Sequence, residues 1–228
     1  MVNYKMAVNN IIIKRCRQLH NVLGLLLVLQ ISLWFISGLT MSVLPITQVR
    51  GEHLRVLPPV NWQLATVSPA QILAQHSDKA TLSLSQRVST EQQYALPVYL
   101  VQDSEQHYRY NAHSGELLQP LSEQQAIQSG LTQYSGNGSV SSITLLSELP
   151  QEVQHISAPL WQLQFNDAEN STFYLDQHSG TVLRVRTDGW RLFDFMWMVH
   201  IMDYKDRHNF HNPLLISFSA LSLLFTLT

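Results

Sequence analysis

Residues 22–44 form an unbroken run of 23 positions without a charged side chain, from Val22 to Leu44. As a helix rising about 1.5 Å per residue, the run extends about 35 Å, enough to cross a hydrocarbon core of about 30 Å. It predicts a transmembrane helix, assigned to residues 20–45. Lys5, Lys14, Arg15 and Arg17 all precede the run. Positive charge at that end places residues 1–19 in the cytoplasm and the following chain outside. A cleaved signal peptide is the competing reading. It fits less well, because the apolar run exceeds an h-region and no A-x-A site follows. Gly24, Ser37 and Gly38 are small enough to let another helix approach closely.

A second uncharged stretch, assigned to residues 212–228, begins with Asn212 and Pro213. Asn suits an N-cap and Pro a first helical turn. From Pro213 onward the stretch reaches only about 24 Å as a helix, short of a full span. The expectation is a second membrane helix, completed by residues beyond Thr228 or ending inside the bilayer.

Between the two lie roughly 165 residues, enough for one ordinary domain or two small ones. Cys16 is the only cysteine, so no intramolecular disulfide is available and no cysteine zinc site or CxxCH haem attachment occurs. The formal net charge of -2 gives no reason to expect a nucleic-acid partner.

The intervening pattern is α+β. Ser68-Pro69 before Ala70, Ile72, Leu73 and Ala74 reads as a capped helix start. Strands are predicted over residues 82–88, 97–102 and 106–111. Ser122 with Gln125 three positions later has capping-box spacing and opens a second helix. Strands over residues 140–145, 159–165, 172–176 and 181–185 follow. Residues 110–118 (YNAHSGELL) and 175–183 (LDQHSGTVL) share a strand, a His-Ser-Gly turn and a strand, 65 positions apart. Gly115 and Gly180 supply the positive φ that such a turn needs. The repetition predicts two related helix-plus-antiparallel-sheet units, residues 46–120 and 121–188. His113 and His178 read as turn residues.

Three segments together carry a family resemblance. Arg17-Gln18-Leu19-His20-Asn21-Val22-Leu23-Gly24, with Trp34-Phe35-Ile36-Ser37-Gly38-Leu39 at the far end of the helix, resembles the first helix of the PepSY-associated transmembrane family. Tyr174-Leu175-Asp176-Gln177-His178-Ser179-Gly180 is similar to the turn of the PepSY repeat. Trp190 leading through an aromatic stretch to Val199-His200 resembles the segment before that family's second membrane helix. The resemblance covers most of the chain, although several members have four membrane helices and this chain offers two. It implies a bacterial cytoplasmic (inner) membrane protein with two transmembrane helices flanking a periplasmic domain of two PepSY-like units. It also implies either of two functions. Some members resemble b-type haem proteins that move electrons across the membrane, including reducers of ferric siderophores. Other PepSY proteins are regarded as inhibitors or regulators of peptidases.

Haem b needs axial imidazoles in an apolar slot. His20 stands at the cytoplasmic edge of the first helix. His200 shares a helical face with Trp190, Phe193 and Trp197, within a predicted amphipathic interfacial helix in residues 189–211. His208 and His211 follow. The candidate cofactor-binding residues are His20, His200 and His211. His20 and His200 lie at opposite membrane edges, so they cannot hold one iron together. A second ligand must come from a homo-oligomer, from a partner membrane subunit or, on the outer side, from His208 or His211. The bland alternative is an aromatic belt at the bilayer with surface histidines. No GxSxG, HExxH, P-loop or GxGxxG is present. Two functions therefore stay open: a haem-bearing electron-transfer subunit serving a periplasmic substrate such as a ferric chelate, and a non-enzymatic interaction or regulatory module on a membrane anchor.

Overall fold

The computed structural model describes residues 2–89, 91–92 and 94–228, with side chains from residue 13 onward. The chain divides into two compact units, residues 46–190 and residues 1–45 with 191–228.

The unit of residues 46–190 is α+β. A short helix α2 (Ile46–Val49) and a 3-10 turn (Glu52–Leu54) lead to α3 (Pro69–Leu73), capped through a reciprocal Ser68–Gln71 capping box. Three strands follow, β1 (Thr81–Val88), β2 (Ala95–Asp103) and β3 (Gln106–Asn111), in an antiparallel sheet of order β1-β2-β3. Helix α4 (Glu123–Gln133) starts at Ser122, whose Oγ accepts from Gln125 N while Gln125 Oε1 accepts from Ser122 N. A second antiparallel sheet, β4-β5-β6-β7, comprises Val140–Leu146, Leu160–Phe165, Thr172–Asp176 and Val182–Arg186. Strand ends differ from the sequence expectation by two residues or fewer, as ladder pairing extends past the apolar pattern.

The repeat predicted from sequence is a repeat of hydrogen bonds. Asn111 Oδ1 accepts from His113 N and Ser114 N, and Gly115 N donates to Asn111 O. Asp176 Oδ1 accepts from His178 N and Ser179 N, and Gly180 N donates to Asp176 O. Gly115 and Gly180 have φ of 76° and 67°. Each is the left-handed residue that closes the turn, where a Cβ is disfavoured.

The first sheet buries Tyr99, Val101 and Tyr110 against Ile72 of α3. The second sheet is covered on both faces. Trp161, Leu163, Phe165, Phe173 and Leu175 pack with Ala126 of α4, whereas Leu160 and Tyr174 point the other way and meet Val153. This follows from the two-residue period of strands. Val88 N of β1 donates to Ser179 O in the turn between β6 and β7, joining the two sheets by a backbone bond, and Leu121 N, just before α4, donates to Gln177 O of the same turn.

The other unit is helical. Helix α1 (Val2–Val43) contains Ile13–Val43, which is long and apolar enough to cross a membrane. Helix α5 (Asp188–Ile201) reaches this unit from Arg191 onward, and α6 (Pro213–Leu227) packs on α1. Asn212 caps α6 by accepting from Leu215 N, as its sequence predicted. Leu23, Leu27, Gln30 and Ser37 are buried along one stripe of α1, at spacings of three, four and seven residues. The other faces are bare. Leu25, Phe35 and Val43 on α1, and Leu223 and Leu227 on α6, are all more than 60% exposed. An apolar surface this continuous fits a lipid or protein environment better than water.

Candidate functional site

Both leading candidate histidines fall in the helical unit, one toward each end of the buried stripe of α1. Ser37 lies 17 positions after His20, or about 26 Å along a helix. The two therefore form separate sites.

At one site the His200 ring, from the last turn of α5, lies against α1 beside Gly38. A Cβ at Gly38 would sit 3.4 Å from His200 Cε1, so glycine leaves the imidazole room to lie close. Ser37 Oγ is 3.0 Å from His200 Nδ1. That hydroxyl has one hydrogen, which it donates to Leu33 O at 2.7 Å in its own helix. Toward the imidazole Ser37 is thus the acceptor, and Nδ1 carries the proton. Nε2 is left with its lone pair and, among the described residues, no hydrogen-bond partner.

The other site repeats the arrangement. His20 stacks on Phe225 of α6, with ring centroids 4.2 Å apart and planes inclined by 20°. Gly24, one turn further along α1, permits this, since a Cβ there would lie 3.2 Å from Phe225 Cε2. His20 Nδ1 is 3.3 Å from Thr228 Oγ1, and that hydroxyl donates to Phe225 O. With that hydrogen on the carbonyl, His20 Nδ1–H donates to Oγ1 and Nε2 has no hydrogen-bond partner among the described residues. Ile13, Cys16 and Arg17 complete a recess of about 360 Å³ around His20 and Thr228.

Between the two sites, Gln30 Nε2 and Trp34 Nε1 are buried donors without a partner. They stand four residues apart on α1 and so project from neighbouring turns. A buried unsatisfied donor costs about 1–3 kcal/mol. The pair therefore calls for an acceptor that these helices do not provide.

His208 and His211 occupy the segment between α5 and α6, both exposed. That segment is organised by Asp203. Its carboxylate accepts from Asn209 N at 2.8 Å, His208 N at 3.0 Å, Asp206 N at 3.1 Å and Lys205 N at 3.3 Å. These bonds, led by that of Asn209, lower its pKa to about 2. Asp194 pairs with Arg207, and Trp197 Nε1 donates to Arg207 O, tying the segment to α5. His211 donates its backbone N–H to Asn209 Oδ1. Among the described residues no hydrogen bond or ring contact joins His211 to His200, and no three His, Cys, Asp or Glu side chains converge as a metal centre would require.

Ser37 and Thr228, the hydroxyl partners, had no role in the sequence reading. Ser37 was visible there only as a small residue, and what approaches it is an imidazole.

The chain matches no protein-family model, no curated protein and no solved structure.

Proposed function

We propose that this chain is a membrane-anchored, PepSY-like electron-transfer subunit that holds b-type haem through His20 toward one end of the buried stripe of α1 and His200 toward the other. In this reading it serves reduction of a substrate outside the cytoplasm, such as a ferric chelate. One observation carries the reading. Two imidazoles on different helices each have Nδ1 beside a back-bonded hydroxyl that can accept from Nδ1–H, the arrangement that leaves Nε2 open. That is the state in which histidine ligates a metal, and an Nδ1 hydrogen bond is its usual orienting partner. A surface histidine in an aromatic belt needs no such constraint.

The donor set fits one axial position at each site. Bound haem would supply one-electron redox chemistry at its iron. The chain's own contribution is to hold the two rings, to pack helices around them, and to offer Arg17 beside His20 as a counter-charge for a carboxylate. A second ligand would come from a second copy or a partner membrane subunit, whose approach would also supply acceptors for Gln30 and Trp34. Such assembly suits the bare faces of α1 and α6.

The experiment is a reduced-minus-oxidised spectrum of the full chain, purified in detergent after expression with added haem. Soret and α bands are expected, and each is reduced by roughly half in His20→Ala and in His200→Ala. Bands unchanged in both variants would reject these ligands.

Absence of bands in the wild-type assembly would favour the second reading, a binding module on a membrane anchor. That reading has an observation of its own. Trp62, Leu82, Leu84 and Tyr99 line an open recess of about 570 Å³ on the first sheet, with Trp62 and Leu84 exposed. An apolar concavity on a sheet face suits the side chains of a protein partner.

A further inference from the structure

The other unit carries a separate cleft of about 460 Å³ with a different chemistry. Arg50 and Arg55, from the segment that follows the first helix, face Arg184 and Arg186 of β7 across it. Trp190 closes one wall, with the Arg186 guanidinium stacked 3.9 Å from its ring centroid. Glu52 is the only acidic residue lining the cleft.

Internal pairing leaves Arg55 and Arg184 charged. Arg55 Nη1 donates to Val182 O and Arg184 Nη1 to Leu183 O. Both partners are backbone carbonyls, which orient a guanidinium without removing its charge, and each guanidinium has five N–H donors. Neither arginine pairs with a carboxylate among the described residues. Arg50 meets Glu52 only at 3.8 Å, with side chains 66% and 53% exposed, so that pair is well screened. Arg186 donates to Glu152 O and Val185 O, which fixes its plane against Trp190.

We propose that this cleft is an anion-binding site for a ligand bearing phosphate-type oxyanions, either a lipid headgroup or a soluble phosphate compound. Arg55 and Arg184 have no carboxylate partner among the described residues and Arg50 has only its screened contact with Glu52, so the concavity carries a local positive field. The planar guanidinium forks match phosphate oxygens in bidentate geometry. The volume is that of a small-ligand site. A headgroup is within reach because Arg50 follows Val43, the last residue of α1, by seven positions. Seven extended residues cover at most about 25 Å. The proposal does not depend on haem.

The test uses the full chain. In phosphatidylcholine nanodiscs at low ionic strength it is titrated with sodium pyrophosphate by calorimetry. In nanodiscs of mixed phosphatidylcholine and phosphatidylglycerol, lipid retained by the released protein is counted by native mass spectrometry. The Arg55→Gln/Arg184→Gln double variant is expected to weaken whichever ligand binds by at least about tenfold, while Lys79→Gln, on an exposed position away from the cleft, changes nothing. Arg50→Gln keeps the test decisive if the double variant misfolds, because its side chain bonds no backbone group among the described residues; a loss of about threefold or more is expected. Binding should also fall as salt rises. Pyrophosphate binding that is lost in the variants assigns a soluble anion, and selective loss of phosphatidylglycerol assigns a headgroup. Binding of neither probe by the wild type, or equal binding by wild type and variants, would overturn the site.

Discussion

Gln133 offers a sharp test of how the two-sheet unit is held together. It is the last residue of α4 and is fully buried. Its Nε2 donates to Gly180 O at 2.7 Å and to Ser129 O at 2.8 Å, while its Oε1 accepts from Val182 N at 3.0 Å. One amide thus bridges α4 to both sides of the turn between β6 and β7, satisfying an acceptor and a donor that water cannot reach. Gln133→Met keeps the side-chain length and removes both functions. Gly180 O and Val182 N are then left unpaired, at about 1–3 kcal/mol each. The lower desolvation cost of burying a thioether offsets part of this, leaving a net loss of about 2–5 kcal/mol. For a unit of about 150 residues that is a fall in Tm of about 6–15 °C. The assay is a thermal melt of the full chain in detergent, followed by circular dichroism in the β-sheet region. A melt within about 3 °C of wild type would show that the turn is held by its own Asp176 and Gly180 bonds, and would refute the reasoning.

Three further outcomes follow from the same structure. On the proposed haem ligation, Ser37→Ala, which removes a hydroxyl acceptor for His200 Nδ1–H, should weaken haem retention at that site by about 10–100-fold in a haem titration while leaving the His20 site unchanged. Gly51→Ala should destabilise the α+β unit by at least about 2 kcal/mol in a denaturant titration: Gly51 has a φ of 67°, and a Cβ there would lie 2.4 Å from Val185 Cγ1. Asp203, with its folded pKa lowered to about 2, stabilises the segment after α5 above the unfolded carboxyl value near 4; this contribution is lost as pH falls from there toward 2. Trp197, whose indole donates to Arg207 O in that segment, should report the loosening as a fluorescence change over that pH range, and a flat signal would count against it.

Features carried by neighbours in sequence were readable without the fold. The uncharged run of residues 22–44 dictated an apolar helix, because its length and composition leave little else. The Ser68-Pro69 pair and the capping spacing of Ser122-Gln125 located two helix starts, since a cap bonds within its own turn. The duplicated His-Ser-Gly pattern announced two like turns, since the Asx bonds and the left-handed glycine act over five residues, but only the second joins two strands; after the first the chain makes a single bridge, Tyr110 to Leu117. The aromatic helix was expected within residues 189–211 and lies at Asp188–Ile201.

What the tertiary structure alone decided spans long separations. Ser37 and His200 are 163 positions apart, so no local pattern tells which nitrogen of that imidazole carries the proton. Arg50 and Arg55 meet Arg184 and Arg186 only because β7 returns to the segment leaving α1; in the sequence these four are scattered cations. Gln133 reads as a polar helix end and is in fact fully buried between α4 and a turn 47 residues away. Periodicity and capping are short-range steric and hydrogen-bond effects, written into neighbouring residues. The charge state, tautomer and desolvation of a side chain depend on whatever the fold brings within a few ångströms of it.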